Sequence, residues 1–139
     1  MNNFSEITIN SSLTNYKVIF IEDYNLNSWV PSGSFYLIDD FFKGKLSISK
    51  EENVFWIKAN EDAKSFLKLN EIFISLKKFG CNRESSITAI GGGVVQDIAT
   101  IISSLYMRGI NWNYVPTTFL GMTDSCIGGK SSINVGQYK

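Results

Sequence analysis

Three consecutive glycines at positions 91–93 stand between an apolar run and a segment with helical periodicity. The run SITAI at 86–90 predicts a buried strand, and VVQDIATIISSLYM at 94–107 predicts a helix that is apolar most of the way round. A glycine-rich turn from strand to helix leaves the first backbone N–H groups of the helix accessible to an anion. A tight turn that only needs positive φ uses fewer glycines. The sequence therefore favours a phosphate-binding turn, although its spacing is not G-x-G-x-x-G.

Asp97 lies about one helical turn beyond the glycines, which places a carboxylate close to the N-terminus of the same helix. One interpretation is electrostatic, because an acid in this place stabilises the positive end of the helix dipole. The other interpretation is that Asp97 accepts hydrogen bonds from the sugar hydroxyls of a nucleotide whose phosphates bind the glycines. The local sequence favours neither of the two.

Strands and helices alternate along most of the chain, which predicts an α/β fold with a Rossmann-like parallel sheet and helices on both of its faces. The predicted strands are 35–39, 53–59, 86–90 and 112–115. Three helices are predicted: the short segment FFKGKL, 60–80 and 94–107. The helix 60–80 begins with Asn60 as N-cap and ends at Gly80. The segments ITIN at 7–10 and KVIFIE at 17–22 predict an N-terminal β-hairpin, and 23–34 is rich in turn residues.

Charge and composition exclude several classes of function. The 139 residues, enough for one domain, carry 13 Lys and Arg against 13 Asp and Glu, so no basic excess indicates nucleic acid or an anionic membrane as partner. No apolar run is long enough to span a bilayer, and the N-terminus lacks the features of a secretory signal, so we expect a cytoplasmic protein. Cys81 and Cys126 have no metal-site spacing, and the chain has no histidine, the commonest general base and metal ligand.

A second informative stretch, VPTTFLGMTDSCIGGKSSINVGQYK at 115–139, follows the last predicted strand. It combines lysines, small hydroxyl side chains, an acid and a glycine pair, a mixture that suits an anionic, hydroxyl-rich ligand. We therefore expect a binding loop here, and the alternative is an ordinary polar surface loop. A Walker loop is excluded because Gly121 stands eight residues before Gly129.

Four linked motifs, GGGVVQD, YMRG, VPTT and TDSCIGGKSSIN, follow one another over positions 91–134. In this order and at these intervals they resemble the 3-dehydroquinate synthase family of sugar phosphate cyclases. NEDAK at 60–64 is similar to an acidic-x-x-Lys segment of that family, and Asp39 falls where the family often has a polar residue near the adenosine. The resemblance implies that 1–139 is the N-terminal NAD-binding α/β domain of a dehydroquinate synthase-like fold. On this resemblance, we expect the C-terminal metal-binding helical domain of the family to be absent from this chain.

The resemblance also implies a chemistry, that of a carbon–oxygen lyase. In the family, NAD transiently oxidises a ring hydroxyl of a sugar phosphate, phosphate is eliminated, the ketone is reduced, and an intramolecular aldol step closes the carbocycle. Zinc or another divalent metal, held by Glu and two His of the C-terminal domain, is expected only in the full-length protein. The full-length protein is expected to be a homodimer. Dehydroquinate synthesis belongs to the shikimate pathway of aromatic amino acid biosynthesis. We expect this chain alone to be inactive.

The family's functional residues carry over onto matching positions of this sequence. The cofactor residues implied are Gly92, Gly93, Val94, Val95 and Asp97 at the pyrophosphate and its ribose, Asp39, Glu61 and Lys64 on the adenosine side, and Thr117, Thr118 and Leu120 at the nicotinamide. The catalytic residues implied are Asp124, Lys130, Asn134 and Lys139 at the junction of cofactor and substrate, and Arg108 at the substrate phosphate. Asp124, Lys130 and Lys139 would contact the cofactor as well. Arg108 would act across a dimer contact, and its alternative role is a salt bridge after the helix.

Three departures from the family pattern leave the substrate open. Gln96 stands where the family usually has glycine, Ser131-Ser132 replaces Thr-Ala, and Val135-Gly136 replaces His-Pro. Two kinds of substrate stay open. One is the dehydroquinate precursor, and the other is a different sugar phosphate or an amino analogue. Two other functions also stay open: the NAD-binding half of a metal-dependent polyol or alcohol dehydrogenase, and a non-catalytic nucleotide-binding fragment.

Overall fold

The computed structural model describes residues 5–10, 15–20, 30–31, 33–48, 53–128, 130–136 and 138. Two strands near the N-terminus, β1 (Ser5–Ile9) and β2 (Tyr16–Phe20), pair antiparallel as the predicted hairpin. The main sheet is parallel and consists of β3 (Phe35–Asp39), β4 (Val54–Ile57), β5 (Ser86–Gly91) and β6 (Asn111–Pro116), in the order β4-β3-β5-β6. The predicted α/β class and its parallel sheet are confirmed. Most of the predicted loop 23–34 lies outside the described residues.

The two central strands are apolar on both faces, as is typical of parallel strands covered from both sides. Leu37 of β3 pairs with Ala89 of β5, and Ile38 pairs with Ile90. All four side chains are buried, the first pair facing one core and the second pair facing the other. Continuous apolar runs therefore mark the centre of the sheet.

Helix α1 (Phe66–Lys78) begins later than the sequence predicts. Asn60 caps a separate 3-10 turn, Glu61–Lys64, by accepting a hydrogen bond from the backbone N–H of Ala63. Ser65 then adopts an extended conformation and caps α1, its hydroxyl accepting from the N–H of Lys68. The prediction of one helix from Asn60 is wrong because the chain contains two N-cap residues in succession, and the second starts the helix.

Helix α2 (Gly93–Leu105) follows the glycines as predicted and ends at a strained turn. The 3-10 turn Tyr106–Arg108 holds Met107 at φ 51° and Arg108 at φ 68°, both in the left-handed region. This conformation stops the helix two residues before its predicted end. In the described part of the chain, neither α1 nor α2 nor any shorter helix is long and apolar enough to cross a membrane.

Both long helices pack on the same face of the sheet, with Leu69 of α1 and Ile98 of α2 in one core with Leu37. The connections from β4 to β5 and from β5 to β6 run in the same direction across the sheet, and right-handed crossovers then place both helices on one side. The opposite face is covered by residues that follow β3, among them Phe42 and Leu46. The predicted short helix FFKGKL is observed on this face as a 3-10 turn, Asp40–Phe42, so helical segments flank both faces of the sheet and both long helices lie on one of them.

The chain reverses its direction across the sheet between β3 and β5. From β3 it moves to β4 at one edge, whereas from β5 it moves to β6 at the other. In open α/β sheets, ligands bind beyond the carboxyl ends of the strands at such a reversal. Asp39 ends β3, and the three glycines follow the neighbouring end of β5. The fold thus places two sequence-predicted cofactor positions at the expected ligand crevice.

Part of the stretch predicted as a binding loop is helical. A π-helical turn, Gly121–Ser125, continues directly into Cys126–Gly128. Thr118 starts this helical segment, since its hydroxyl accepts a hydrogen bond from the N–H of Gly121 at 3.1 Å. The prediction of a loop is wrong here because the segment has no apolar period, and Thr118 as a cap was the only local signal of a helix.

We expect Gly91→Ala to lower the free energy of unfolding by about 1–3 kcal/mol, whereas Gly93→Ala leaves it unchanged or slightly higher. A Cβ at Gly91 would lie 2.5 Å from Cγ2 of the buried Val95, but a Cβ at Gly93 would meet no atom of another described segment within 4 Å. Chemical denaturation of both variants measures the difference. Equal effects of the two substitutions would contradict the packing described for the glycine turn.

Candidate functional site

The N-terminus of α2 lies open at the crevice. Gly92 is the N-cap residue, in an extended conformation, and no side chain of the described residues caps the helix. The N–H groups of the first turn have no intrahelical partner and carry the positive end of the helix dipole. Among the described residues beyond its own helix and chain neighbours, no atom lies within 4 Å of the place that a Cβ of Gly93 would occupy. This arrangement of donors and free space suits an anion such as a phosphate group.

None of the three glycines has a positive φ, so a tight left-handed turn does not explain them. Two of them are required by close packing within the chain. Gly91 accommodates the side chain of Val95, and a Cβ at Gly92 would lie 3.0 Å from Cγ2 of Thr118. Packing gives no reason for the third, Gly93.

The segment after β6 is attached to the glycine turn. The N–H of Thr117 donates to the carbonyl oxygen of Gly91 at 2.9 Å, and the hydroxyl of Tyr114 donates to the same oxygen at 3.2 Å. Thr118 then packs against Gly92. The structure therefore brings the VPTT and GGG motifs together, as the resemblance predicts.

A buried ammonium group links the 3-10 turn before α1 to α2. Lys64 Nζ lies 3.2 Å from Asp97 Oδ2 and 2.9 Å from Glu61 Oε2. The side chain of Lys64 is only 5% exposed, against 17% for Asp97 and 57% for Glu61. A lysine this deeply buried requires an opposite charge nearby. Of its two carboxylate partners, Asp97 is the less exposed.

The pKa of Lys64 is raised above its ordinary value. Burial is the largest single influence and lowers it, but the hydrogen bonds and charges of Glu61 and Asp97 together outweigh burial. Lys64 is therefore a cation throughout the neutral pH range. Its stabilisation of the fold is present below the ordinary lysine pKa of about 10.4 and is lost as the pH rises through the raised value.

The chain near its end lies along the same network. Ser132 donates to Asp97 twice at 3.3 Å, from its N–H to Oδ1 and from its hydroxyl to Oδ2. The N–H of Asn134 donates to the carbonyl of Lys64 at 3.0 Å, and its Nδ2 donates to the carbonyl of Glu61 at 2.9 Å. Asp97 thus holds three segments together, a role that neither interpretation from the sequence included.

The remaining predicted residues occupy different surroundings. Asp39 accepts from the N–H of Phe41 at 3.1 Å and caps the 3-10 turn at the end of β3. Val95 is fully buried, so only its backbone can reach a ligand, and Val94 is half-buried. The predicted residues Leu120, Asp124 and Lys130 are exposed beside the crevice, and Lys139 lies outside the described residues.

Arg108 is not brought to this site within one chain. It lies beyond the C-terminal end of α2, so the length of that helix, about 20 Å, separates it from the glycine turn. Its side chain is exposed, and in the described part of the chain no ion pair joins it to an acid, contrary to the alternative of a salt bridge.

An open cleft of about 540 Å³ lies at the opposite edge of the sheet, near the amino ends of β5 and β6. Arg83, Glu84 and Trp112 are among its lining residues. The C-terminus of α2 points toward it, and it contains none of the predicted cofactor residues. We therefore place the candidate site by its donors and charges at the glycine turn, not by the size of this cleft.

Metal-ligating side chains do not cluster in the part of the chain that the structure describes. No group of three or more His, Cys, Asp or Glu side chains is arranged there to hold a metal ion. The resemblance assigns the metal ligands of the full-length protein to its C-terminal domain.

The sequence matches the model of a known protein family. The family model described as 3-dehydroquinate synthase N-terminal matches residues 54–139, more than half of the chain. The chain belongs to the 3-dehydroquinate synthase family. The matched region contains the glycine turn and its neighbour Asp97 as well as Lys64.

Full-length relatives agree with this assignment. The 3-dehydroquinate synthase of Dictyoglomus thermophilum is 38% identical over 123 residues, which cover 86% of this chain and 34% of the relative. That of Prochlorococcus marinus strain MIT 9312 is 34% identical over 135 residues, 96% of this chain and 35% of the relative. The chain thus spans about a third of the length of the curated relatives it matches.

Solved structures agree in fold. A 2-deoxy-scyllo-inosose synthase complexed with carbaglucose-6-phosphate, NAD+ and Co2+ matches 97% of this chain and 41% of its own with a TM-score of 0.77, at 23% identity. The 2-epi-5-epi-valiolone synthase of Streptomyces hygroscopicus, with NAD+ and Zn2+ bound, matches 73% of this chain and 31% of its own with a TM-score of 0.65, at 28% identity. The predicted N-terminal dehydroquinate synthase-like fold is confirmed.

We expect Asp97→Asn to lower the free energy of unfolding by about 2 kcal/mol, because it leaves the buried Lys64 with only the more exposed Glu61 as a charged partner. Asp62→Asn is the matched control, since Asp62 is an exposed acid of the same 3-10 turn. Urea denaturation measures both. The deficit of Asp97→Asn should be constant from about pH 6 to about pH 9 and shrink above about pH 10.4. Equal stability of the two variants would contradict the network.

Proposed function

We propose that this chain is the NAD-binding part of a 3-dehydroquinate synthase-like sugar phosphate cyclase, a carbon–oxygen lyase. The observation that supports it most is the uncapped N-terminus of α2 beside an unfilled Gly93, at the crevice where the sheet reverses. The family match favours this function over a polyol dehydrogenase. It is favoured over a non-catalytic fragment because Lys64, Asp97 and the glycine turn lie close to one another at the crevice.

The pyrophosphate of NAD would bind the first turn of α2. Backbone N–H groups of Gly93, Val94 and Val95 would donate to its oxygens, and Gly92 lets the chain approach closely. The buried side chain of Val95 packs against Gly91 and keeps these donors in place before the ligand arrives. The binding energy therefore comes from backbone groups whose positions the core fixes.

The adenosine side would be held by acids that Lys64 positions. The charge of Lys64 is already neutralised by its ion pairs with Asp97 and Glu61. Lys64 therefore positions these two carboxylates and does not bind the phosphates. Carboxylate oxygens held in this way accept hydrogen bonds from ribose hydroxyls. Asp39, at the end of the neighbouring strand β3, would do the same.

The nicotinamide half would lie against the segment after β6. Bound NAD supplies a hydride acceptor for a sugar hydroxyl. Thr117, Thr118 and Leu120 would contact its ring, and the exposed cation Lys130 suits a phosphate group of the substrate. We assign Asp124, Asn134 and Lys139 to the junction with the substrate, where they would orient it.

The full-length protein is proposed to act as a homodimer in the cytoplasm, on a sugar phosphate, in the shikimate pathway. Arg108 would then contact the substrate phosphate of the partner subunit, since it lies beyond the far end of α2 from the site of its own chain. The zinc or other divalent metal, expected only in the full-length protein, would be held by residues of its C-terminal domain, and no step here passes through it. The isolated chain should bind NAD+ without turning over a sugar phosphate.

We expect Gly93→Glu to weaken NAD+ binding by more than about tenfold while the fold stays intact. A carboxylate at the first position of α2 is favourable for the helix dipole, but it occupies the place of the pyrophosphate and repels it. Isothermal titration of the purified chain with NAD+ measures the dissociation constant.

Gly93→Gln is the matched control, because it adds the same bulk without the charge. It should weaken binding less than Gly93→Glu does, and circular dichroism should show both variants folded. NAD+ binding of normal strength by Gly93→Glu would contradict the placement of the pyrophosphate at this helix.

A further inference from the structure

Gln96 is buried in the first turn of α2, close to the proposed pyrophosphate position. Its side chain is 4% exposed, and its Nε2 donates a hydrogen bond to the carbonyl oxygen of Ser125. Its other amide atom, Oε1, is buried and has no hydrogen-bond partner within the described residues. A buried amide that is only half satisfied costs stability, so its single bond needs an explanation.

The carbonyl that Gln96 binds belongs to the end of the helical segment after β6. The last four carbonyl groups of a helix lack intrahelical partners, and this segment ends at Gly128. Two of these groups are bound by side chains of other elements: Gln96 donates to Ser125, and the Tyr16 hydroxyl donates to Ile127 at 3.0 Å. The contact of Tyr16 is exposed to solvent, whereas that of Gln96 is largely buried, so Gln96 is the firmer of the two attachments.

The beginning of the same segment is fixed at the glycine turn. The N–H of Thr117 donates to Gly91, and a Cβ at Gly121 would lie 2.8 Å from the hydroxyl oxygen of Tyr114. The π-helical turn Gly121–Ser125 therefore lies between two attachments, one before it at the glycine turn and one after it at Gln96. π-helical turns are frequent at functional sites.

We propose that Gln96 is a positioning residue, whose amide holds the turn Gly121–Ser125 against α2 and so sets where Leu120 and Asp124 face the nicotinamide half of NAD. This inference rests on the proposed function. The adenosine half is held by other elements, namely β3 and the turn before α1, and does not depend on Gln96. Gln96 thus controls one half of the cofactor site without touching the cofactor.

Gln96→Met separates this role from a purely structural one. Methionine has a similar length and is apolar, so it removes both the donor to Ser125 and the unsatisfied Oε1. The loss of the hydrogen bond and the removal of the unsatisfied acceptor offset each other in stability. The melting temperature should therefore change little, while the turn loses its attachment.

The experiment titrates the chain and its Gln96→Met variant with NAD+ and with ADP, which lacks the nicotinamide half. We expect the dissociation constant of NAD+ to rise roughly fivefold and that of ADP to stay the same. Hydrogen exchange of the backbone amides at 122–126, measured without ligand, should become faster. Ser104→Ala is the matched control, because its hydroxyl makes a hydrogen bond to Thr100 on the exposed far part of α2, and it should change none of these quantities.

Equal weakening of NAD+ and ADP would overturn the proposal, since a general loss of structure affects both ligands. Unchanged NAD+ affinity and unchanged exchange at 122–126 would overturn it as well. If the unmodified chain binds neither ligand, the proposed function fails and the positioning role fails with it, whereas the exchange rates still decide whether Gln96 anchors the turn.

Discussion

The buried charge of Lys64 is the constraint on which the candidate site depends. An ammonium group that is 5% exposed has to be neutralised, and the acids that do so lie on different elements. Asp97 is held by Lys64 and by Ser132, so the turn before α1, the helix α2 and the chain near residue 132 meet at one point. Each of these segments contributes residues to the proposed cofactor site. One electrostatic requirement of the fold thus assembles a surface that the sheet alone does not make.

The glycine turn shows how stability and binding share one short motif. Gly91 and Gly92 are needed by the chain itself, because Val95 and Thr118 occupy the space that a side chain would take. Gly93 is not needed in this way, since it has ordinary φ and empty space beside it. Gly93 lies at the positive end of the helix, where an anionic ligand binds most favourably. A ligand bound there explains why this position has no side chain.

The sheet and the glycine turn could be predicted from the sequence because their signals are local. Buried strands such as β5 are apolar runs, and the helix after the glycines has a clear period. The start of α1 could not be predicted, because Asn60 and Ser65 are both good caps and no local signal distinguishes them.

The contacts that complete the site are not local. Lys64 and Asp97 are 33 residues apart, and Gln96 and Ser125 are 29 apart. Their pairing follows from the crossover connections and not from any sequence pattern. The resemblance of the motifs drew attention to Glu61, Lys64 and Asp97, but their contacts with one another, the helical turn after β6 and the bond from Gln96 became visible only in the structure.

The central claim is that the first turn of α2 binds the pyrophosphate of NAD, and an amide-resolved NMR titration tests it most directly. The account predicts that NAD+ shifts the backbone amide signals of Gly92, Gly93 and Val94 most strongly, with smaller shifts along 61–64. The amides around Arg83 and Trp112, at the opposite edge of the sheet, should not move. Shifts concentrated at that opposite edge, or none at the glycine turn at saturating NAD+, would contradict the account.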